Sequence, residues 1–285
     1  MRHDGTPEAC VPSVNKLAEI IEAKRRRVAA EKLHVPLSAL KIAARKRRET
    51  AVAHSLRAAL SSGERTNIIA EFKRRSPSKG AIRSDADTAS IARQYESGGA
   101  AAISVLTEED YFGGSLDDLR SIRETTSLTI LRKDFILEEF QVYESAKAGA
   151  DALLLIVAAL DDETLLRLRK LTEDDLEMDA LVEVHTPDEM KRAIDSGAKL
   201  IGVNNRNLAT FEVSLQTSIE LIAIAPRDAI LISESGIETR DDIERLQASG
   251  YRGFLIGETL MRADDPVGAL GQLTQSLHEA RVGKV

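Results

Sequence analysis

The stretch Asn67-Ile68-Ile69-Ala70-Glu71-Phe72-Lys73-Arg74-Arg75-Ser76-Pro77-Ser78 decides the fold. Its first half is an apolar, β-branched run in which Ile69, Glu71 and Lys73 share one face, because alternate side chains of a strand point the same way. Its second half breaks into a loop without the G-x-G-x-x-G pattern that follows the first strand of a dinucleotide-binding open sheet. Seven more short apolar runs follow, at 101–107, 129–135, 151–160, 179–185, 200–207, 229–236 and 253–260. Between them lie stretches with helical spacing and charged faces, such as Leu137–Gly149 and Pro187–Gly197. Thr186-Pro187-Asp188-Glu189 predicts a capping box with proline at the first helical position, and Gly197 closes that helix. Eight strand–helix units within residues 67–285 predict an α/β fold, a (β/α)8 TIM barrel, whose usual size is roughly 250 residues. An open doubly wound sheet, the structural rival, typically uses about five or six strands.

Composition narrows the class of protein. The chain has 285 residues, 43% of them hydrophobic, which suffices for a sizeable core. No window approaches a membrane-spanning length of apolar residues, and the N-terminus lacks the apolar region of a secretory signal. One cysteine, Cys10, excludes an internal disulfide and a cysteine-cluster metal site, which points to the reducing cytoplasm. Charge is uneven: residues 1–66 hold 14 Lys/Arg against 7 Asp/Glu in a chain whose net charge is −7. A basic arm for nucleic acid is one reading. Against it, the charges interleave with helix-spaced Leu17, Ile20, Ile21 and Val28, and no aromatics stand among them to stack bases. The expectation is one domain over 1–285, with a helical extension at 14–66 packed on a barrel at 67–285. Residues 1–12 are expected to be disordered, and the chain to be monofunctional.

The inner face of a barrel strand is costly ground for a charge, except at the C-terminal end where active sites of this fold lie. Five strands repeat one arrangement, an apolar residue followed by a polar one. They are Ile69/Glu71/Lys73, Leu131/Lys133/Phe135, Leu181/Glu183/His185, Gly202/Asn204/Arg206 and Ile232/Glu234. Glu71, Lys73, Lys133, Glu183, Asn204, Arg206 and Glu234 therefore converge on one predicted site. Cations face carboxylates throughout it, and no pair of histidines stands at ligand spacing, so no metal is expected. His185 carries no assigned role.

The loops after strands 7 and 8 of such barrels commonly hold phosphate through backbone N–H groups. Here they read Ser233-Glu234-Ser235-Gly236-Ile237 and Ile256-Gly257-Glu258-Thr259. Ser235, Gly236, Gly257 and Glu258, with Ser76 after strand 1, are the predicted cradle for a phosphorylated substrate.

Taken in order, the blocks 68–78, Leu106-Thr107-Glu108 with Tyr111-Phe112-Gly113-Gly114, Leu131–Ile136, Val182–His185, Ile201–Leu208 and Ser233–Ile237 closely resemble those of the indole-3-glycerol phosphate synthase family. The likeness runs over roughly 14–275 and includes the helical extension. Asn207 stands where the family usually has Asp. The resemblance implies ring closure, decarboxylation and dehydration of 1-(2-carboxyphenylamino)-1-deoxyribulose 5-phosphate to indole-3-glycerol phosphate, in tryptophan biosynthesis, without a cofactor. It implies an acid at Lys133, a carboxylate-holding lysine at Lys73, and a base or acid at Glu183. Glu71 and Glu234 position lysines and substrate hydroxyls, and Asn204 and Arg206 orient the intermediate. Phe112 and Phe135 are candidates to pack the anthranilate ring. The expected partner is this small molecule alone, with no nucleic acid or membrane, and the chain is expected to be a monomer or weak homo-oligomer. An isomerase of the same pathway would want a cysteine at the end of strand 1, and Cys10 lies outside the barrel. A Schiff-base aldolase using Lys133 or Lys73 as nucleophile is the remaining alternative.

Overall fold

Each of the eight apolar runs forms a strand, because aliphatic and β-branched side chains covered on both faces favour extended backbone. The computed structural model describes residues 16–61, 66–77, 79–208 and 210–274. Its barrel strands are β1 (Asn67–Phe72), β2 (Ala102–Leu106), β3 (Thr129–Lys133), β4 (Ala152–Ile156), β5 (Asp179–Val184), β6 (Leu200–Asn204), β7 (Ile230–Glu234) and β8 (Gly253–Ile256). They pair in chain order, and β8 returns to β1 in parallel from Asn67↔Gly253 to Ala70↔Ile256. The barrel is closed, which excludes the open sheet. The loop after β1 holds a two-residue ribbon, Arg75–Ser76 against Gly80–Ala81, that the sequence reading does not foresee.

Period-two alternation sorts the strand residues into two cores. Ile68, Ala70 and Phe72 point outward to the helices, whereas Ile69, Leu131, Leu154, Leu181, Ile232 and Leu255 fill the interior. The stretch 137–149 forms a helix over Glu139–Ala148, and 187–197 forms one over Pro187–Asp195. The first ends at Gly149 with φ of 97°, a left-handed conformation that a side chain would strain.

The N-terminal segment wraps the barrel from mouth to base. Its helices are α1 (Lys16–Lys32), α2 (Leu37–Arg48) and α3 (Ser55–Leu60). Ile20 of α1 joins Phe135 and Ile156 in the inner core near the strands' C-terminal ends. Leu40 and Ala44 of α2 enter the outer core, with α2 against the Glu139–Ala148 helix. Leu56 and Leu60 of α3 plug the base, where Asp179, the first residue of β5, accepts from the Arg57 N–H at 2.9 Å and from its Nε at 2.5 Å. The expected disorder of residues 1–12, and Cys10 itself, lie outside the described residues.

The basic charges of this segment meet the acidic barrel. Lys24 is buried, with Nζ 2.9 Å from both Asp134 and Glu109. Arg27 reaches Asp110 at 2.6 Å, Lys32 reaches Glu138 at 2.7 Å and Lys41 reaches Glu139 at 3.4 Å. Arg48 donates to the carbonyls of Leu176 and Glu177, each at 2.8 Å. Asp134, which also accepts from Thr107 at 2.7 Å and Arg132 at 2.9 Å, is the hub of this network. Burial opposes its ionisation, but Lys24 and Arg132 outweigh burial and hold its carboxyl below the ordinary value of 3.8. Because that value is depressed in the folded state, the stabilisation is present above about pH 3.8 and is lost as pH falls further.

Removing one partner from a buried pair leaves the other charge uncompensated, at a typical cost of about 3–5 kcal/mol. Lys24→Met is therefore expected to destabilise the protein by about 3 kcal/mol at pH 7. In urea titrations the midpoint should fall at constant slope, and the deficit should shrink toward pH 3 as Asp134 is protonated.

Candidate active site

The layer above the apolar barrel interior is ionic. Lys133, the last residue of β3, extends between β5 and β7, with Nζ 2.8 Å from Glu183 Oε2 and 2.8 Å from Glu234 Oε2. Burial alone would favour the neutral amine. The carboxylates of Glu183, Glu234 and Glu71 outweigh it and hold Lys133 charged, above the ordinary lysine range. The same pairing splits the two acids. Burial raises the pKa of both, but Lys133 and His185 pull Glu183 well below the usual carboxylate range. Glu234 is pushed up to about 7 by its burial and by the charges of Glu183 and Glu71, which outweigh its pairing with Lys133. Its Oε1 is buried and makes no hydrogen bond with the described residues.

Lys73, just past β1, donates to Glu71 of the same strand, so Glu71 and Lys73 stand beside the central triad as a second pair. Asn204, at the end of β6, donates from Nδ2 to Glu183 Oε1 at 3.2 Å and accepts the Arg206 N–H at Oδ1 at 3.0 Å. Arg206 lies beyond the strand, bridged to Val213, and its guanidinium donates to the Phe211 carbonyl at 3.2 Å. It thus sits at the root of the loop after β6. Asn207, the departure from the family pattern, accepts the Thr210 N–H at 3.1 Å in that loop, a bond that Asp would accept equally well. Phe112 and Phe135 have ring centroids 6.4 Å apart and pack beside Ile20 and Ile156.

Two glycines make room for carboxylates. A Cβ on Gly202 would lie 2.0 Å from Glu234 Oε1, and one on Gly257 would lie 2.3 Å from Glu71 Oε1. Gly257, read from sequence as part of a phosphate cradle, thus has a second reason to lack a side chain. At the predicted cradle, Ser235 and Gly236 follow one another with φ of 66° and 75°. Left-handed backbone at a non-glycine residue is strained, and strain of this kind clusters at active sites and ligand-binding turns. Gly257 precedes the short helix Glu258–Arg262. The Glu258 carboxylate turns away to Arg262 at 3.0 Å, leaving its backbone as the part available to a ligand. Ser76 lies half-buried in the ribbon after β1.

The sequence reading misses the groups that hold these side chains. Glu108, buried, accepts from the N–H groups of Asp110, Tyr111 and Phe112 and so shapes the loop carrying Phe112. Glu189 departs from the predicted capping box. Thr186 does cap the helix, accepting the Glu189 N–H at 3.2 Å. The Glu189 carboxylate, however, turns back to His185, accepting its N–H at 2.8 Å and facing its Nδ1 at 3.0 Å, because an imidazole ring stands within reach. The signal available in sequence was the spacing of His185 and Glu189 around a helix start.

The family model described as indole-3-glycerol phosphate synthase matches residues 17–273. A protein of that name from Desulfosudis oleivorans is 48% identical over 90% of this chain and 97% of its own length. One from Albidiferax ferrireducens is 45% identical over the same shares of both chains. Among solved structures, a 3-hexulose-6-phosphate synthase from Salmonella typhimurium superposes with a TM-score of 0.59 at 13% identity, covering 73% of this chain and 96% of that one. That likeness concerns the barrel alone. The sequence matches go further, and the chain belongs to the indole-3-glycerol phosphate synthase family.

Proposed function

We propose that the ionic layer at the barrel mouth carries the family's reaction, with Lys133 as the acid. The chain is a carboxy-lyase of tryptophan biosynthesis, and this chemistry sets three demands. The ketone of the carboxyphenylamino-deoxyribulose phosphate must be polarised while a ring carbon attacks it. The carboxylate must then leave as carbon dioxide, and water must be expelled to restore the aromatic indole. The observation that carries the assignment is Lys133 held between Glu183 and Glu234 at 2.8 Å from each. A lysine kept charged in this way can donate a proton to the carbonyl oxygen. It is ill suited to attack a carbonyl, which needs the neutral amine, and this weighs against a Schiff-base aldolase.

Lys73, on the opposite side from Glu183, holds the substrate carboxylate, with Glu71 fixing its ammonium group. Glu183, kept ionised, is the base of the dehydration. Glu234 offers its unpaired Oε1 to a substrate hydroxyl, and Asn204 and Arg206 orient the intermediate. Phe112 and Phe135 flank the anthranilate ring. The phosphate is held by the backbone of Ser235, Gly236, Gly257 and Glu258 and by the hydroxyl of Ser76. This reading has the chain working as one domain, as a monomer or weak homo-oligomer in the cytoplasm, with no nucleic-acid partner.

Acid–base assistance is worth about 10²–10⁴-fold, so Lys133→Ala should lower kcat by at least that order with a smaller change in KM. Glu183→Gln should let carbon dioxide leave at near the normal rate and slow the appearance of indole. Single-turnover runs that follow the two products separately make the comparison, and the absence of Trp removes protein background from indole fluorescence. Equal slowing of both products by Glu183→Gln would sink the assignment of the base.

Phosphate contacts bind ground state and transition state alike. Inorganic phosphate should therefore compete with substrate. Gly236→Ala would bring a Cβ to 2.4 Å from Val213 Cγ1 at a left-handed position, and it should raise KM several-fold with little change in kcat. A fall in kcat at constant KM would place the phosphate elsewhere.

A further inference from the structure

His185 belongs to no role assigned so far, yet it lies half-buried between two carboxylates. Its Nδ1 lies 3.0 Å from Glu189 Oε2, and its Nε2 lies 3.3 Å from Glu183 Oε1, an ion-pair contact without hydrogen-bond geometry. Glu189 also accepts the His185 backbone N–H at 2.8 Å, which anchors this carboxylate beside the ring. Glu189 is itself fixed in the first turn of the Pro187–Asp195 helix, which Thr186 caps. Helix start, imidazole and Glu183 thus form one rigid line leading from outside the barrel to the reacting layer.

We propose that His185 is a positioning residue for Glu183, a fixed imidazolium that keeps this carboxylate ionised and aimed at the barrel mouth. The inference rests on the reading of Glu183 as the base. Charge bookkeeping around the ring supports it. The groups facing His185 are Glu183 of its own strand and Glu189 of the following helix. Behind Glu183 stand Lys133 of β3 and the neutral Asn204 amide of β6, and Glu234 lies on the far side of Lys133. Two anions touch the ring directly, and Glu183 stands between the ring and the Lys133 ammonium group. Burial alone would discharge the imidazole, but Glu183 and Glu189 outweigh it and push its pKa up to about 10.

The consequence separates the two acids that share Lys133. Glu183 has cations on both sides and stays a base, whereas Glu234 has Lys133 alone. Without the imidazolium, Glu183 and Glu234 would compete for one ammonium group, and a proton would be shared between the two carboxylates. His185 also leaves Lys133 less strongly committed to Glu183, so that its proton can be directed to the substrate ketone.

The test has a spectroscopic arm and a kinetic arm. In ¹⁵N-histidine-labelled protein, the resonance lost in His185→Asn identifies this ring. It should report both nitrogens protonated at pH 7.5, with no titration below about pH 9. In Glu189→Gln the same ring should begin to titrate at least one pH unit lower. In single turnovers His185→Asn should slow indole formation about tenfold and leave carbon dioxide release unchanged, a milder copy of the Glu183→Gln pattern. A ring that is neutral at pH 7.5 overturns the proposal, whether or not the variant folds. So does equal slowing of both products by His185→Asn while Glu183→Gln separates them, which would mark a merely structural side chain. If Glu183→Gln itself fails to separate them, the reading of Glu183 falls instead.

Discussion

A half-buried cation at the mouth of a barrel is the constraint on which the rest of the site depends. Lys133 stands on top of an apolar interior, where an isolated ammonium would surrender its proton. It keeps the proton because β5 and β7 each end in a glutamate that reaches it. The position of these strands around a closed barrel is thus inseparable from the chemistry. Opening the sheet would separate the three groups and discharge the lysine.

Neutralising one lysine with two carboxylates creates a second problem, since two acids at one ammonium group repel each other. The structure resolves it unevenly. Glu183 accepts a hydrogen bond from Asn204 and has the His185 ring 3.3 Å away as an ion-pair contact, whereas Glu234 has a buried oxygen with no hydrogen bond among the described residues. One acid is therefore strongly ionised and the other titrates near neutrality. Pairs of acids pushed apart in this way mark acid–base sites, because each can hold a different protonation state at the same pH. Space is treated the same way as charge: Gly202 and Gly257 leave open the volumes that the Glu234 and Glu71 carboxylates occupy.

How much of this was legible in the sequence follows from the range of each interaction. Alternation within a strand is local, so Ile69/Glu71 and Leu131/Lys133 announce both the barrel and its polar end. The strained turn at Ser235-Gly236 was visible only as a small-residue loop, since φ is not written in residue type. Gly257 was read through its own loop, and its contact with Glu71 joins residues far apart in the chain. Lys24 was read as part of a basic helix because its partners, Glu109 and Asp134, lie in other elements. The capping box at Thr186 shows the limit most clearly. The motif was present and the helix starts there, but Glu189 found a better partner one residue before the cap.

The basic N-terminal segment, weighed at first as an arm for nucleic acid, has a nearer use for its charge. Lys24, Arg27, Lys32 and Lys41 all meet carboxylates of the barrel, and Lys24 reaches the buried Asp134, the residue that follows Lys133. Exposed pairs such as Lys41–Glu139 contribute little individually. The buried one differs, because Asp134 is shared among Lys24, Arg132 and Thr107, and these come from α1, β3 and the end of β2. Fixing that carboxylate fixes the exit of β3 and with it the backbone from which Lys133 projects. The helical segment is therefore coupled to the reacting layer through one buried acid, and its opposite charge is what makes that coupling possible.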